Sequence, residues 1–280
     1  MTDEIYMQRC LQLAANGMQN AKPNPMVGAV IVCDDRIIGE GYHVCCGQAH
    51  AEVKAFMSVK PDDEHLLPYS TLYVSLEPCS HYGKTPPCAD LIVSKGVRRV
   101  VVGCLDPFEK VSGRGIQRLR DAGIDVTVGV LEEECRHLNR RFFTFHTKHR
   151  PYITLKWAQS SNGFIDNDGK AFRFSTPYTQ MLVHKLRSEN DAILVGRITE
   201  EREHPQLNVR EWTGKSPRKI VLSHDNPLDL ARLYDEGIQT LLVEGGRETL
   251  QWFIDNGLYD DVRIETSPIE IEKGTPAPTL

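Results

Sequence analysis

Thr71-Leu72-Tyr73-Val74-Ser75-Leu76-Glu77-Pro78-Cys79 decides the architecture of the first half of this chain. A β-prone run passes straight into proline and cysteine, so a potential metal ligand stands at the end of a buried strand. A polar loop leads from there to Cys88, a helix is predicted through Ala89 to Lys95, and Val97–Cys104 reads as a second buried strand. Upstream, Val27–Cys33 and Arg36–Gly41 flank Asp34-Asp35 and predict a hairpin. Helices are expected over Asp3–Gln19 and His50–Val59, the first stopped by Lys22-Pro23-Asn24-Pro25. Downstream, Gly115–Ala122 predicts a helix, Ile124–Val130 a strand and Glu132–Phe143 a closing helix. Strands and helices that alternate in this way favour a layered α/β domain.

Thr147-Lys148-His149-Arg150-Pro151 is basic, contains proline and precedes a fresh strand at Tyr152–Trp157. The expected division is therefore 1–146 and 147–280, in keeping with a length suited to two domains. The second half predicts a helix over Leu182–Arg187, strands at Ala192–Val195 and Lys219–Leu222, a helix over Leu228–Asp235, and a strand at Thr240–Val243 ending in Glu244-Gly245-Gly246.

A formal net charge of −5 argues against a general nucleic-acid surface while leaving room for a small anionic substrate. The N-terminus lacks a signal-like apolar core, and no apolar run has membrane-spanning length, so a cytoplasmic chain without membrane or nucleic-acid partners is expected. The eight cysteines then read as thiols or metal ligands rather than a disulfide framework. Cys10, Cys33, Cys45, Cys46, Cys104 and Cys135 lack ligand spacing and are expected to pack.

His50-Ala51-Glu52, Pro78-Cys79 and Pro87-Cys88 carry the chemistry. One imidazole and two thiolates suit Zn2+ and leave a fourth tetrahedral position open, as in catalytic sites. Zinc lowers the pKa of water towards neutrality. Glu52, two residues after the ligand, is placed to shuttle protons without binding the metal. His-x-Glu with Pro-Cys-x-x-Cys is the known pattern of zinc deaminases. Here the two residues between the cysteines are replaced by Ser80–Pro87. A closed structural zinc site with a fourth ligand such as His81 is the alternative.

Asn24-Pro25-Met26-Val27-Gly28, Gly41-Tyr42-His43, His50-Ala51-Glu52-Val53 and the stretch from Glu77 through His81, Lys84 and Thr85 to Cys88 stand in one order. Together they resemble the deaminase half of the bifunctional deaminase-reductases of riboflavin biosynthesis. The resemblance implies a cytidine-deaminase-like three-layer domain acting on a ribosylamino-diaminopyrimidinone 5′-phosphate. It assigns substrate binding to Asn24, His43, His81, Lys84 and Thr85. It continues through Arg150–Lys156, Ser160–Gly163 and Leu242–Gly246 into a reductase half, implying a dihydrofolate-reductase-like α/β domain that uses NADPH to reduce ribosyl to ribityl. By position, Lys156, Arg187, Glu203, Leu207, Arg210 and Glu244 are assigned to the sugar phosphate. Ala158, Arg173, Thr199, Ser223, Gly245 and Gly246 are assigned to NADPH, and a homodimer is implied.

Several positions depart from that family: Asn162 replaces aspartate, Ala171 serine, Arg173 an aromatic and Glu203 aspartate. Leu222–Thr240 is a short connection where the family has a further strand and helix. The second domain is thus expected to be truncated, and loss of a central strand would weaken dinucleotide binding. Three readings follow: a working bifunctional enzyme, a deaminase whose degraded second half serves as scaffold or dimerisation element, and a non-catalytic zinc-binding regulator. The intact Glu52 argues against the last.

Overall fold

Three strands of the first half, β1 (Gly28–Cys33), β3 (Thr71–Leu76) and β4 (Arg99–Cys104), are buried almost throughout. Their apolar runs are continuous because helices cover both faces of the sheet. With β2 (Arg36–Tyr42) and β5 (Asp125–Val128) they form a five-stranded sheet of order β2-β1-β3-β4-β5. β1 is antiparallel to β2 and β3, whereas β3, β4 and β5 run parallel. This is a computed structural model, and it describes residues 2–80, 82, 86–107 and 112–280.

Alternate residues of each strand feed opposite faces. Ala29, Ile31, Val74, Val100 and Val102 pack with residues of α2 (Ala51–Met57), α3 (Cys88–Lys95) and α4 (Arg114–Asp121). Val30, Val32, Tyr73 and Val101 pack on the other side with residues of α1 (Asp3–Ala15), α5 (Glu132–Leu138) and α6 (Arg140–Lys148). A 3-10 helix spans Pro61–Tyr69. Gly41 lets α2 lie directly on β2, since a Cβ there would stand 2.6 Å from Ala55 N and 2.8 Å from Ala51 O. That contact fixes the helix whose first turn carries Glu52.

The chain divides into two compact units, Met1–Thr147 and Lys148–Leu280. The second contains β6 (Tyr152–Gln159), α7 (Pro177–Ser188), β7 (Ala192–Gly196), α8 (Arg197–Glu203), β8 (Arg218–Leu222), α9 (Leu230–Asp235), β9 (Thr240–Val243), α10 (Arg247–Asp255) and β10 (Asp261–Thr266). Its strands are all parallel, in the order β10-β6-β9-β7-β8.

This topology corrects the expectation that a central strand is lost. β9 already lies between β6 and β7, and β6 and β7 each have two neighbours. A strand inserted between β8 and β9 in sequence would have to add at an outer edge. In β8, Arg218 N–H donates to Asp191 O towards β7, so alternation turns the polar groups of Val221 to the open side. There the Asn226 amide donates to Val221 O at 2.8 Å, answering a carbonyl that another strand would otherwise satisfy. Exposed Arg218 and Lys219 further blunt this edge.

Other differences from the sequence reading are local. The closing helix predicted over Glu132–Phe143 is two helices broken at Asn139, and the first helix ends at Ala15. The 3-10 helix, α8, α10 and β10 were not foreseen. Cys10, Cys33, Cys104 and Cys135 are buried and Cys45 is partly so, but Cys46 is exposed and packing does not account for it. No helix among the described residues is long and apolar enough to cross a membrane.

Candidate functional site

The ends of three elements meet in the first unit. His50 is the extended residue that opens α2, Cys79 follows β3 and Cys88 begins α3. His50 Nδ1 lies 3.6 Å from Cys79 Sγ and 3.3 Å from Cys88 Sγ, and Cys88 N–H donates to Cys79 Sγ at 3.3 Å. The ligand atoms of the three residues are within 4.8 Å of one another; among the described residues no other group of His, Cys, Asp and Glu meets that test. A hydrogen bond from the Cys88 thiol pulls Cys79 down to about 4, and the same contact holds Cys88 well above the usual thiol range. A nitrogen and two sulfurs converging on one point, one sulfur already biased to thiolate, fit a three-ligand zinc site.

Glu52 is 3% exposed, and its carboxyl lies beside Cys88. Burial, with the Cys79 charge second, pushes it up to about 7. Glu52 thus stands beside the ligand set and outside it.

His43 is 3% exposed, and burial holds it below the ordinary histidine range. Its Nδ1–H donates to Ala49 O at 3.3 Å, so Nε2 is the acceptor for Asn24 Nδ2 at 3.1 Å. Its ring packs edge-on against His50, with centroids 5.4 Å apart. Asn24 is thereby oriented, and among the described residues its Oδ1 accepts no hydrogen bond. Both ring nitrogens of His43 are engaged within the protein, which makes it the group that aims Asn24. His81, Lys84 and Thr85 lie outside the described residues.

Sequence reasoning missed two residues that shape this site. Glu77 is 4% exposed and accepts backbone N–H groups from Gly113 (2.9 Å), Gly115 (3.0 Å), Asp106 (3.3 Å) and Ile116 (3.4 Å). It ties the start of α4 to the strand end that carries Cys79. Asn139 clasps the backbone of Met26. Glu77 was visible before Pro78-Cys79, but nothing local disclosed its partners.

In the second unit, glycines at the ends of β7 and β9 lie close against Thr249 of α10 and Thr199 of α8. A Cβ on Gly196 would stand 2.5 Å from Thr249 Oγ1, one on Gly245 2.8 Å from Thr249 Cβ, and one on Gly246 3.3 Å from Thr199 Oγ1. Gly196 and Gly246 cap α8 and α10, so two helix starts open from the carboxyl ends of parallel strands, where open α/β sheets bind ligands. Thr199, Gly245 and Gly246, assigned to the cofactor from sequence, are thus together, and the backbone at these helix starts suits a dinucleotide phosphate. Ala158 and Lys156 are half-buried in the later part of β6. Arg173 is exposed ahead of α7, and Ser223 Oγ accepts Asn226 N–H in the turn after β8.

Arg187 makes a paired ion bridge to Glu244, Nε to Oε1 at 3.0 Å and Nη2 to Oε2 at 2.7 Å, joining α7 to the end of β9. Arg187 Nη1 also reaches Asn208 O, and Arg210 Nη1 reaches Asn208 Oδ1 at 2.9 Å. Leu207 is buried against Ile193, Val195 and Leu242 with a left-handed φ of 50°. Glu203, the last residue of α8, is exposed. His184, unmarked by the sequence, is fully buried; its Nδ1 accepts Arg210 N–H at 3.3 Å, and burial lowers its pKa.

Fold and site define the class: a zinc-type aminohydrolase unit followed by a parallel α/β unit with a glycine-lined ligand cradle. Residues 1–104 match the cytidine and deoxycytidylate deaminase zinc-binding region, and residues 151–231 and 225–275 match the RibD C-terminal domain. A riboflavin biosynthesis protein RibD from Aquifex aeolicus is 37% identical over 95% of this chain and 87% of its own length. RibD from Escherichia coli K12 is 42% identical over 90% of this chain and 72% of its own. A Thermotoga maritima crystal structure titled as a diaminohydroxyphosphoribosylaminopyrimidine deaminase and 5-amino-6-(5-phosphoribosylamino)uracil reductase aligns with a TM-score of 0.88 at 35% identity, covering 98% of this chain and 88% of that one. The chain belongs to the RibD family of riboflavin biosynthesis enzymes, with a deaminase half and a reductase half.

Proposed function

We propose that residues 1–146 deaminate 2,5-diamino-6-ribosylamino-4(3H)-pyrimidinone 5′-phosphate and that residues 147–280 reduce the ribosyl group of the product with NADPH. The observation that carries the first step is the meeting of His50, Cys79 and Cys88 beside buried Glu52. His50 Nδ1 and the two sulfurs would hold zinc, which when bound would supply a Lewis acid that lowers the pKa of water. Asn24, aimed by His43, pairs with the heterocycle edge. Glu52 takes a proton from the attacking water and passes it to the ring nitrogen, then takes the hydroxyl proton of the tetrahedral adduct and passes it to the departing amine. A C–O bond forms, the exocyclic C–N bond breaks, and ammonia leaves as a carbonyl replaces the amine. His81, Lys84 and Thr85 are assigned by family resemblance to the phosphorylated sugar.

In the second unit, the cradle of Gly196, Gly245 and Gly246 with Thr199 supports a dinucleotide phosphate. NADPH, when bound, would supply the hydride that the anomeric carbon takes up as the furanose C–O bond breaks and its oxygen is protonated. Ala158, Arg173 and Ser223 complete the proposed cofactor set. Lys156, Arg210, Glu203 and Leu207 face the sugar phosphate, with the Arg187–Glu244 bridge bracing that wall. A cytoplasmic homodimer belongs to the same reading, on family resemblance.

The test is zinc content, ammonia release and NADPH oxidation measured on one preparation with the pyrimidine substrate. Glu52→Ala should keep stoichiometric zinc while ammonia release falls about 100-fold or more, the usual scale for a general acid–base group. Undiminished release from that variant would remove Glu52 from the chemistry. Intact deamination without NADPH oxidation would leave only the deaminase half of the proposal.

A further inference from the structure

The break between α5 and α6 has a job in the deaminase site. α5 stops at Leu138, Asn139 leaves helical geometry at φ −99° and ψ 17°, and α6 resumes at Arg140. The Asn139 side chain is 2% exposed. Its Oδ1 accepts Met26 N–H at 2.8 Å and its Nδ2 donates to Met26 O at 2.8 Å, so one amide answers both polar groups of that residue, as a neighbouring strand would.

Met26 is where such a clasp is needed. Pro23 and Pro25 flank Asn24 and have no N–H, so neither can donate a backbone bond to hold the segment. Asn24 N–H turns back to Ala21 O, and beyond Met26 the chain is anchored by His43 N–H on Val27 O at 2.9 Å and by Gly28 N–H on Ser75 Oγ at 3.1 Å. Between them, the Asn139 clasp sets the position of the loop. From Asn24 the contacts continue to His43 Nε2 and, ring on ring, to the metal-site residue His50.

We propose that Asn139 is a positioning residue for the deaminase substrate: through Met26 it holds the Asn24 amide at the heterocycle edge. This rests on the reading of Asn24 as the group that meets the substrate. Asn139 has no part in bond making, and its effect reaches the reaction only through that amide. Small displacements of a positioning group are costly, on the order of 100-fold for about 1 Å.

A double-mutant cycle on the zinc-loaded full chain tests it, with ammonia release and zinc content as readouts. Asn24→Ala and Asn139→Ala should each lower kcat/KM by about 10- to 100-fold, with zinc stoichiometry unchanged. Adding Asn139→Ala to Asn24→Ala should cost nothing more. If the double variant loses the full Asn139 factor again, or if Asn139→Ala loses zinc, Asn139 acts elsewhere and the proposal fails. If Asn24→Ala alone is harmless, the premise about Asn24 fails first, and the proposal falls with it. Should Asn139→Ala not fold, Asn139→Asp, which keeps the acceptor for Met26 N–H and lacks the donor, carries the same cycle.

Discussion

Glu77 holds a buried carboxylate by peptide N–H groups that converge on it from Asp106, Gly113, Gly115 and Ile116. Glu77→Gln keeps the shape but turns an NH2 towards donors. We expect a loss of about 2–3 kcal/mol, the cost of leaving buried polar groups unanswered, read as a lower denaturation midpoint at constant m. An unchanged midpoint would mean that these bonds contribute nothing. Asn162 explains one departure from the family. Its Nδ2 donates to Ile271 O at 2.8 Å while its Oδ1 accepts Ile271 N–H at 3.1 Å, and aspartate would set a carboxylate against that carbonyl. Asn162→Asp should destabilise the chain by about 1–3 kcal/mol in the same assay. The zinc residues were legible because the motif is local and its residue types are diagnostic. The partners of Glu77, Asn139 and Asn162 were not, because Gly113 is 36 residues from the first, Met26 113 from the second and Ile271 109 from the third.

At the scale of elements, α1 is pinned to the sheet through its first turn. Arg99 donates to both oxygens of Asp3 at 2.9 and 2.8 Å, and Tyr73 OH donates to Asp3 Oδ1 at 2.8 Å. The Arg99 bond, opposed by partial burial, holds the Asp3 carboxyl below its ordinary value of 3.8. A depressed carboxyl pKa adds stability that is present above the unfolded value and lost as pH falls through the folded one. Asp3→Asn should therefore lower the unfolding free energy near neutral pH by about 1 kcal/mol and flatten the loss of stability below about pH 4. A variant with the wild-type acid limb would dismiss this pin. Elements with two covered faces, such as β3 and β4, were readable as apolar runs. β10 was not, because at the sheet edge Asp261, Arg263 and Glu265 alternate with Val262 and Ile264 and part of the strand faces solvent. The α5–α6 break was also hidden, since Asn139 is an ordinary helix residue until its distant partner is known.

For the whole molecule, the short Leu222–Thr240 connection was legible as a deletion, but only topology shows where it falls. Parallel strands that neighbour in space are not neighbours in sequence, so a missing central strand and a missing edge strand look alike in one dimension. Here β9 and β7 remain side by side, and their glycine ends form the cradle. NADPH should accordingly bind: at about 100 times Kd it would stabilise the folded unit by about 2.7 kcal/mol, visible as a rise in Tm. Gly246→Val isolates the cradle, because Gly246 sits at φ −70° and ψ 175°, a backbone any residue adopts, while the added side chain enters space 3.3 Å from Thr199 Oγ1. That variant should lose the NADPH-dependent Tm rise and NADPH oxidation while releasing ammonia at the wild-type rate. If the unaltered chain shows no Tm rise with NADPH, the deletion has removed more than an edge, and the second unit is left without a reductase role.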